Sequence, residues 1–202
     1  MPSIRAVLIW AALAVAVCVP IAIAAWSPLL AWREPVYIGA GFAGIVAMAL
    51  LLIQPLLAGG HLPGLPGRPG RQVHRWFGIA LVLLVMAHVG GLWVTSAPDV
   101  IDALLFASPT PFSVWGVVAM WAVFAAALLA LFRKSLRLSP AVWRIGHTGL
   151  AVVIVVGTVV HALLIEGAMG VVSKALFCLA LAVVMTKVVM DLAIGALKRR
   201  RR

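Results

Sequence analysis

Four of the five histidines in this chain fall into two pairs with the same spacing. His74 and His88 are fourteen residues apart within HRWFGIALVLLVMAH, and His147 and His161 are fourteen apart within HTGLAVVIVVGTVVH. Fourteen residues of α-helix rise roughly 21 Å and turn by about 1400°, which leaves both side chains within roughly 40° of one face. A single histidine in an apolar helix is ordinarily a hydrogen-bonding packing residue. Four at a repeated spacing are costly to desolvate without partners, and metal ligation removes that cost. Neutral imidazole is a good axial donor to iron. Asp, Glu and Cys are missing at these depths, so a bare transition-metal ion would be short of ligands. Bis-imidazole haem b needs no further protein ligand, and two such helices side by side would hold two haems one above the other.

The elements that must position these histidines are set by composition. Of 202 residues, 65% are hydrophobic and 10% charged, and the mean hydropathy is +1.18. One soluble core of this size could not hide so much apolar surface. Apolar stretches of about twenty residues recur along the chain, which predicts an all-α integral membrane protein. The expected fold is a six-transmembrane-helix bundle forming one domain over residues 1–202, with spans at 6–26, 36–58, 74–95, 112–132, 142–164 and 169–197. The first stretch, with Arg5, a long apolar region and Ala22-Ile23-Ala24, has the pattern of a signal peptide. Its length favours a retained first helix. Cys18 and Cys178 lie in apolar runs, and CxxCH is absent, which excludes covalent c-type haem. Each cysteine reads as a small buried hydrophobe.

The formal charge is +11, but the charges sit between the apolar runs, so membrane orientation accounts for them and no nucleic-acid partner is expected. Arg5, then Arg68, Arg71 and Arg75, then Arg133, Lys134, Arg137 and Arg144, then Lys198 to Arg202 fall on alternate connections. The intervening connections carry Arg33 with Glu34, Asp99 with Asp102, and Glu166 with Lys174. The positive-inside rule then predicts cytoplasmic N and C termini. One span separates the two histidine spans, so these run parallel. The expected pairs are His74 with His147 on the inner side and His88 with His161 on the outer.

Small residues flank the expected ligands on the same helix face: Gly78, Gly91, Ala151 and Gly157, each three or four residues away. They would let a porphyrin lie flat, although glycine also serves simple packing in membrane helices. Leu81 and Ile154, seven residues after the inner histidines, are expected between the two levels. Arg71, Arg75 and Arg144 would suit the inner propionates, with the positive-inside role an equal or better explanation. The second connection, GGHLPGLPGRPGRQ, is too rich in Gly and Pro to be helical. Its His61 reads as a loop residue. A short interfacial turn is expected near 100–106. Lys187 and Asp191, four apart, read as an ion pair along the last helix, with a proton relay the alternative. The terminal KRRRR reads as a lipid-headgroup anchor.

HRWFGIALVLLVMAH followed by WRIGHTGLAVVIVVGTVVH resembles the ferric reductase-like transmembrane domain, a family that includes NADPH oxidases, ferric-chelate reductases and the haem subunit of a bacterial methionine sulfoxide reductase system. The resemblance covers nearly the whole chain. It implies six helices with haem ligands on the third and fifth, carried here by His74 and His147 (inner haem iron) and by His88 and His161 (outer). It implies electron transfer from a cytoplasmic flavin to an acceptor outside, in the bacterial inner membrane. Relatives usually continue into FAD- and NADPH-binding domains. No Gly-rich nucleotide motif is present here, so the expectation is an oxidoreductase component with its flavin on a partner. A cytoplasmic flavin reductase or a quinol would be the donor and a periplasmic oxidoreductase a candidate acceptor. The competing readings are a respiratory-type quinol-oxidising cytochrome b and a non-redox membrane protein with structural histidines.

Overall fold

The structure, a computed structural model, describes residues 3–200. Within them lie seven α-helices: α1 Ile4–Ala25, α2 Pro35–Ala58, α3 Arg68–Thr95, α4 Ala97–Leu104, α5 Ser113–Phe132, α6 Pro140–Leu164 and α7 Val171–Arg200. All but α4 are long and apolar enough to cross a membrane, the apolar part of α7 ending at Gly195. The chain is a multi-pass integral membrane protein built as an all-helical bundle. Arg201 and Arg202, the end of the basic tail, lie outside the described residues.

Local chemistry sets the helix starts. Proline opens α2, α3, α4 and α6, where its missing N–H costs nothing because first-turn donors have no intrahelical acceptor. Ser3 and Ser139 cap α1 and α6, each accepting from a backbone N–H three residues on. α3 begins six residues earlier than its apolar run implies. Arg68, Pro69 and Gly70, expected in an irregular connection, form its first turn, and the Leu65 carbonyl folds over Gly70 so closely that a Cβ would lie 2.3 Å from it. Where a short interfacial turn is expected near 100–106 lies the helix α4, which begins three residues earlier, with Pro98 in its first turn.

Two antiparallel hairpins, α2 with α3 and α5 with α6, form the bundle's main units, and α7 packs against α6, α2 and α1. The core runs from Leu51 and Leu52 of α2 through Ala122 and Ala126 of α5 and Ile154 and Val155 of α6 to Phe177, Cys178 and Leu181 of α7. α1 is peripheral, yet its Ala24 is fully buried. Cys178 is a buried hydrophobe, but Cys18 is exposed, because α1 turns most of its circumference away from the bundle. Lys174, expected in a connection, lies in the first turn of α7 and is buried. Its Nζ donates to the Ile165 carbonyl at 2.5 Å, so the cation closes the C-terminal end of α6.

The small residues noted beside the histidines serve the hairpins. A Cβ on Gly157 would lie 3.0 Å from the Trp115 carbonyl and 3.1 Å from the Ala119 side chain, and one on Gly91 would lie 2.7 Å from that of Ala40. Both point at the antiparallel neighbour, where close approach of the helix backbones needs them. We expect Gly157→Leu to lower stability by about 1–3 kcal/mol through overpacking. Gly149→Leu, on the same helix with nothing within 4 Å of its Cβ position, should melt like the parent. Thermal denaturation in detergent distinguishes the two.

Candidate functional site

α3 and α6 run in the same direction, so the histidines meet level by level. His74 and His147 have ring centres 6.2 Å apart with planes at 75°. His88 and His161, each fourteen residues further along its helix, form the second level. Leu81 and Ile154 are buried midway between the levels, two helical turns from each histidine. The geometry brings His74 and His147 into ring contact, and the equal spacing sets His88 and His161 at the second level beyond them.

Three of the rings are oriented by a main-chain acceptor on the partner helix. His74 Nδ1–H donates to the Gln54 carbonyl at 3.2 Å, and His88 Nδ1–H donates to the Ala40 carbonyl at 2.8 Å. Gln54 and Ala40 are themselves fourteen apart on α2, which runs antiparallel to α3, so one register serves both rings. On the other hairpin His161 Nδ1–H donates to the Phe112 carbonyl at 2.9 Å. That oxygen also accepts from the Gly116 N–H at 3.2 Å, so the imidazole takes its second lone pair. With the proton held on Nδ1, the lone pair of Nε2 is free, which is the arrangement a metal-bound histidine requires.

Each outer ring occupies the space of an absent side chain. A Cβ on Gly44 would lie 3.0 Å from His88 Nδ1, and one on Gly116 would lie 2.7 Å from His161 Nδ1. Each glycine is one turn beyond the carbonyl that holds the ring. His147 is different. Its Nδ1 is buried without a partner, and its ring stacks on Trp143 at 5.2 Å between centres and 9° between planes.

Arg71, Arg75 and Arg144 are exposed at the starts of α3 and α6. His61 is a loop residue, as its sequence context implies, but it is not isolated. Its Nε2 is 3.3 Å from Asp191 Oδ2, close enough for charge attraction although not aligned for a hydrogen bond. Lys187 pairs with the same carboxylate at 2.5 Å. This triad ties the α2–α3 connection to α7. Among the described residues no three of His, Cys, Asp and Glu converge on one point. Each level therefore offers two imidazoles, too few to hold a naked transition-metal ion by themselves.

The sequence reading did not identify Ala40, Gly44, Gln54, Phe112, Gly116 or Trp143. The Ala40–Gly44 and Phe112–Gly116 pairs share an i, i+4 spacing near the start of the span preceding each histidine span, a signal that means little until the register is known. Gly116→Ala should displace His161 from the Phe112 carbonyl, at a cost of about 1 kcal/mol for the hydrogen bond alone. In protein with 15N-labelled histidine, we expect three rings with the proton fixed on Nδ1. The Gly116 variant should show two, whereas Gly90→Ala, which meets nothing within 4 Å, should keep three.

The family model described as ferric reductase like transmembrane component matches residues 40–158. The matched segment begins at Ala40, which holds His88, and includes His74, His88 and His147, with His161 three residues beyond its end. No curated protein and no solved structure gives a significant match. The match covers more than half of the chain and contains both helix hairpins almost entire, and on that ground the chain belongs to the ferric reductase-like transmembrane component family.

Proposed function

We propose that this protein is a haem b-containing membrane subunit that carries electrons from a donor on its basic side, a flavoprotein or a quinol, to an acceptor on the opposite side. The observation that carries the reading is the meeting of His74 and His147 from parallel helices, with three of the four rings presenting a free Nε2. Family membership supports a membrane electron-transfer role. The residues fit the cofactor. The ring centres of His74 and His147 are 6.2 Å apart, which leaves room for the two imidazoles to share one metal between them.

Haem bound at these pairs supplies reversible one-electron chemistry at iron. The chain's own contribution is orientation and insulation. His74 and His147 would hold the inner group, and His88 and His161 the outer. The Gln54, Ala40 and Phe112 carbonyls keep three imidazoles in the ligating tautomer and fix their ring orientation. Leu81 and Ile154 fill the space between levels with apolar atoms, which keeps water out of the middle of the bundle. Arg71, Arg75 and Arg144 are cationic groups suited to carboxylates at the inner end. The basic connections support a cytoplasmic position for that end, by the positive-inside rule.

Expression with added haem should give about two low-spin b-type haems per chain. His74→Ala or His147→Ala should remove one of them and His88→Ala or His161→Ala the other, read from pyridine haemochrome content and the Soret band. Undiminished haem in all four variants would end this reading. Protein that takes up no haem would return the histidines to structural roles. For orientation, a reporter fused after Arg202 should be active when it requires the cytoplasm and silent when it requires export.

A further inference from the structure

His147 stands out among the four because no backbone group holds it. The register that seats His161 on the Phe112 carbonyl, followed fourteen residues along both antiparallel helices, arrives at Ala126 opposite His147. No hydrogen bond forms there, and Nδ1 is buried without an acceptor. No polar contact therefore fixes the rotation of this ring about its Cβ–Cγ bond. Two aromatic neighbours remain: His74, nearly perpendicular at 6.2 Å, and Trp143, one turn earlier on α6 and parallel to within 9°. Trp143 is half-buried, and its own Nε1 has no hydrogen-bond partner, so the indole is not held by its polar edge. It is held through its face. The guanidinium carbon of Arg133, from the end of α5, lies 4.4 Å from the Trp143 ring centre, a cation–π contact that favours arginine. The result is a run of three planar groups, Arg133 to Trp143 to His147, leading from the α5–α6 connection to the inner histidine pair.

We propose that Trp143, clamped by Arg133, is the positioning residue for His147, supplying by stacking the orientation that backbone carbonyls supply to the other three histidines. This inference concerns the inner pair only, and its consequence for haem rests on the function proposed above. Replacing the indole with a flat ring should be tolerated, and replacing it with an aliphatic side chain should not. The outer pair should not respond to either change.

The test compares Trp143→Leu, Trp143→Phe and Arg133→Met with the parent, first in haem-free protein. Diethyl pyrocarbonate labelling of His147, normalised to His161 and read by peptide mass spectrometry, should rise roughly two- to ten-fold in Trp143→Leu, the factor that one aromatic stacking pair is worth. It should stay near the parent value in Trp143→Phe and rise less in Arg133→Met. In haem-supplied protein, Trp143→Leu should lose or shift one low-spin electron paramagnetic resonance signal and keep the other, with Trp143→Phe restoring both. Unchanged labelling of His147 in Trp143→Leu overturns the proposal. So does an equal rise at His147 and His161, or equal loss of both low-spin signals, since either would report general loosening of the bundle. If Trp143→Leu does not fold, Arg133→Met decides by the same measurements, and an unchanged His147 in that variant counts against the clamp. Parent protein that binds no haem would remove the proposed function, while the labelling comparison would still decide whether Trp143 orients His147.

Discussion

An imidazole in the middle of a membrane has one N–H to satisfy and no water to satisfy it. Backbone carbonyls are the acceptors within reach, and in a helix each already serves an N–H four residues on. A carbonyl oxygen has two lone pairs, however, and the second can be reached by a side chain from an adjacent helix if the backbones come close enough. That condition organises this bundle. It explains why α3 is paired along its length with α2, and α6 with α5. It also explains why Gly44 and Gly116 sit one turn past Ala40 and Phe112, since a methyl group at either would stand where His88 or His161 now lies. The direct partners of the histidines are thus two main-chain hairpins, and the two histidine helices meet each other through the rings those hairpins present.

The two levels are built differently. Both outer rings are fixed by the main chain, whereas the inner level has one main-chain acceptor, the Gln54 carbonyl, and one stacked indole. Among the described residues, the buried polar side-chain atoms without a partner are Gln54 Oε1, His61 Nε2, Trp143 Nε1 and His147 Nδ1. All belong to the end of the bundle that carries the basic connections. The middle of the bundle, around Leu81 and Ile154, is apolar. Any charge moving between the levels would cross a low-dielectric layer two helical turns thick on either side of these residues.

The family relationship and the histidine geometry both support the same reading. The family match rests on residues 40–158 as a whole, and the histidine geometry rests on distances that no sequence comparison uses. The matched segment stops short of His161, yet His161 makes the same kind of carbonyl contact as His88, and its hairpin repeats the same device of carbonyl followed by glycine. The symmetry between hairpins fails only at His147. There Trp143 and Arg133, residues contributed by α6 and the end of α5, take over.

Hydropathy alone was sufficient for six spans, because a run of twenty apolar residues has no other stable use, and the equal spacing of His74–His88 and His147–His161 put each pair on one helix face. Alternation of direction along the chain then set which histidine meets which. Helix starts are legible where proline or serine marks them, and α3 starts earlier than its apolar run because Pro69 and Gly70, loop residues by type, fit its first turn. The glycines flanking the histidines were legible as important but not as to purpose, since Gly91 and Gly157 face a neighbouring helix whose register the sequence does not display. The acceptor carbonyls belong to the backbone, so Ala40, Gln54 and Phe112 carry no mark in their side chains. The Trp143 stack needed the ring planes themselves. Periodicity along each helix is a local property and is readable in the order of the residues. Which lone pair or ring face each imidazole meets depends on the rotation and closeness of two helices far apart in the chain, and it emerges only when they pack.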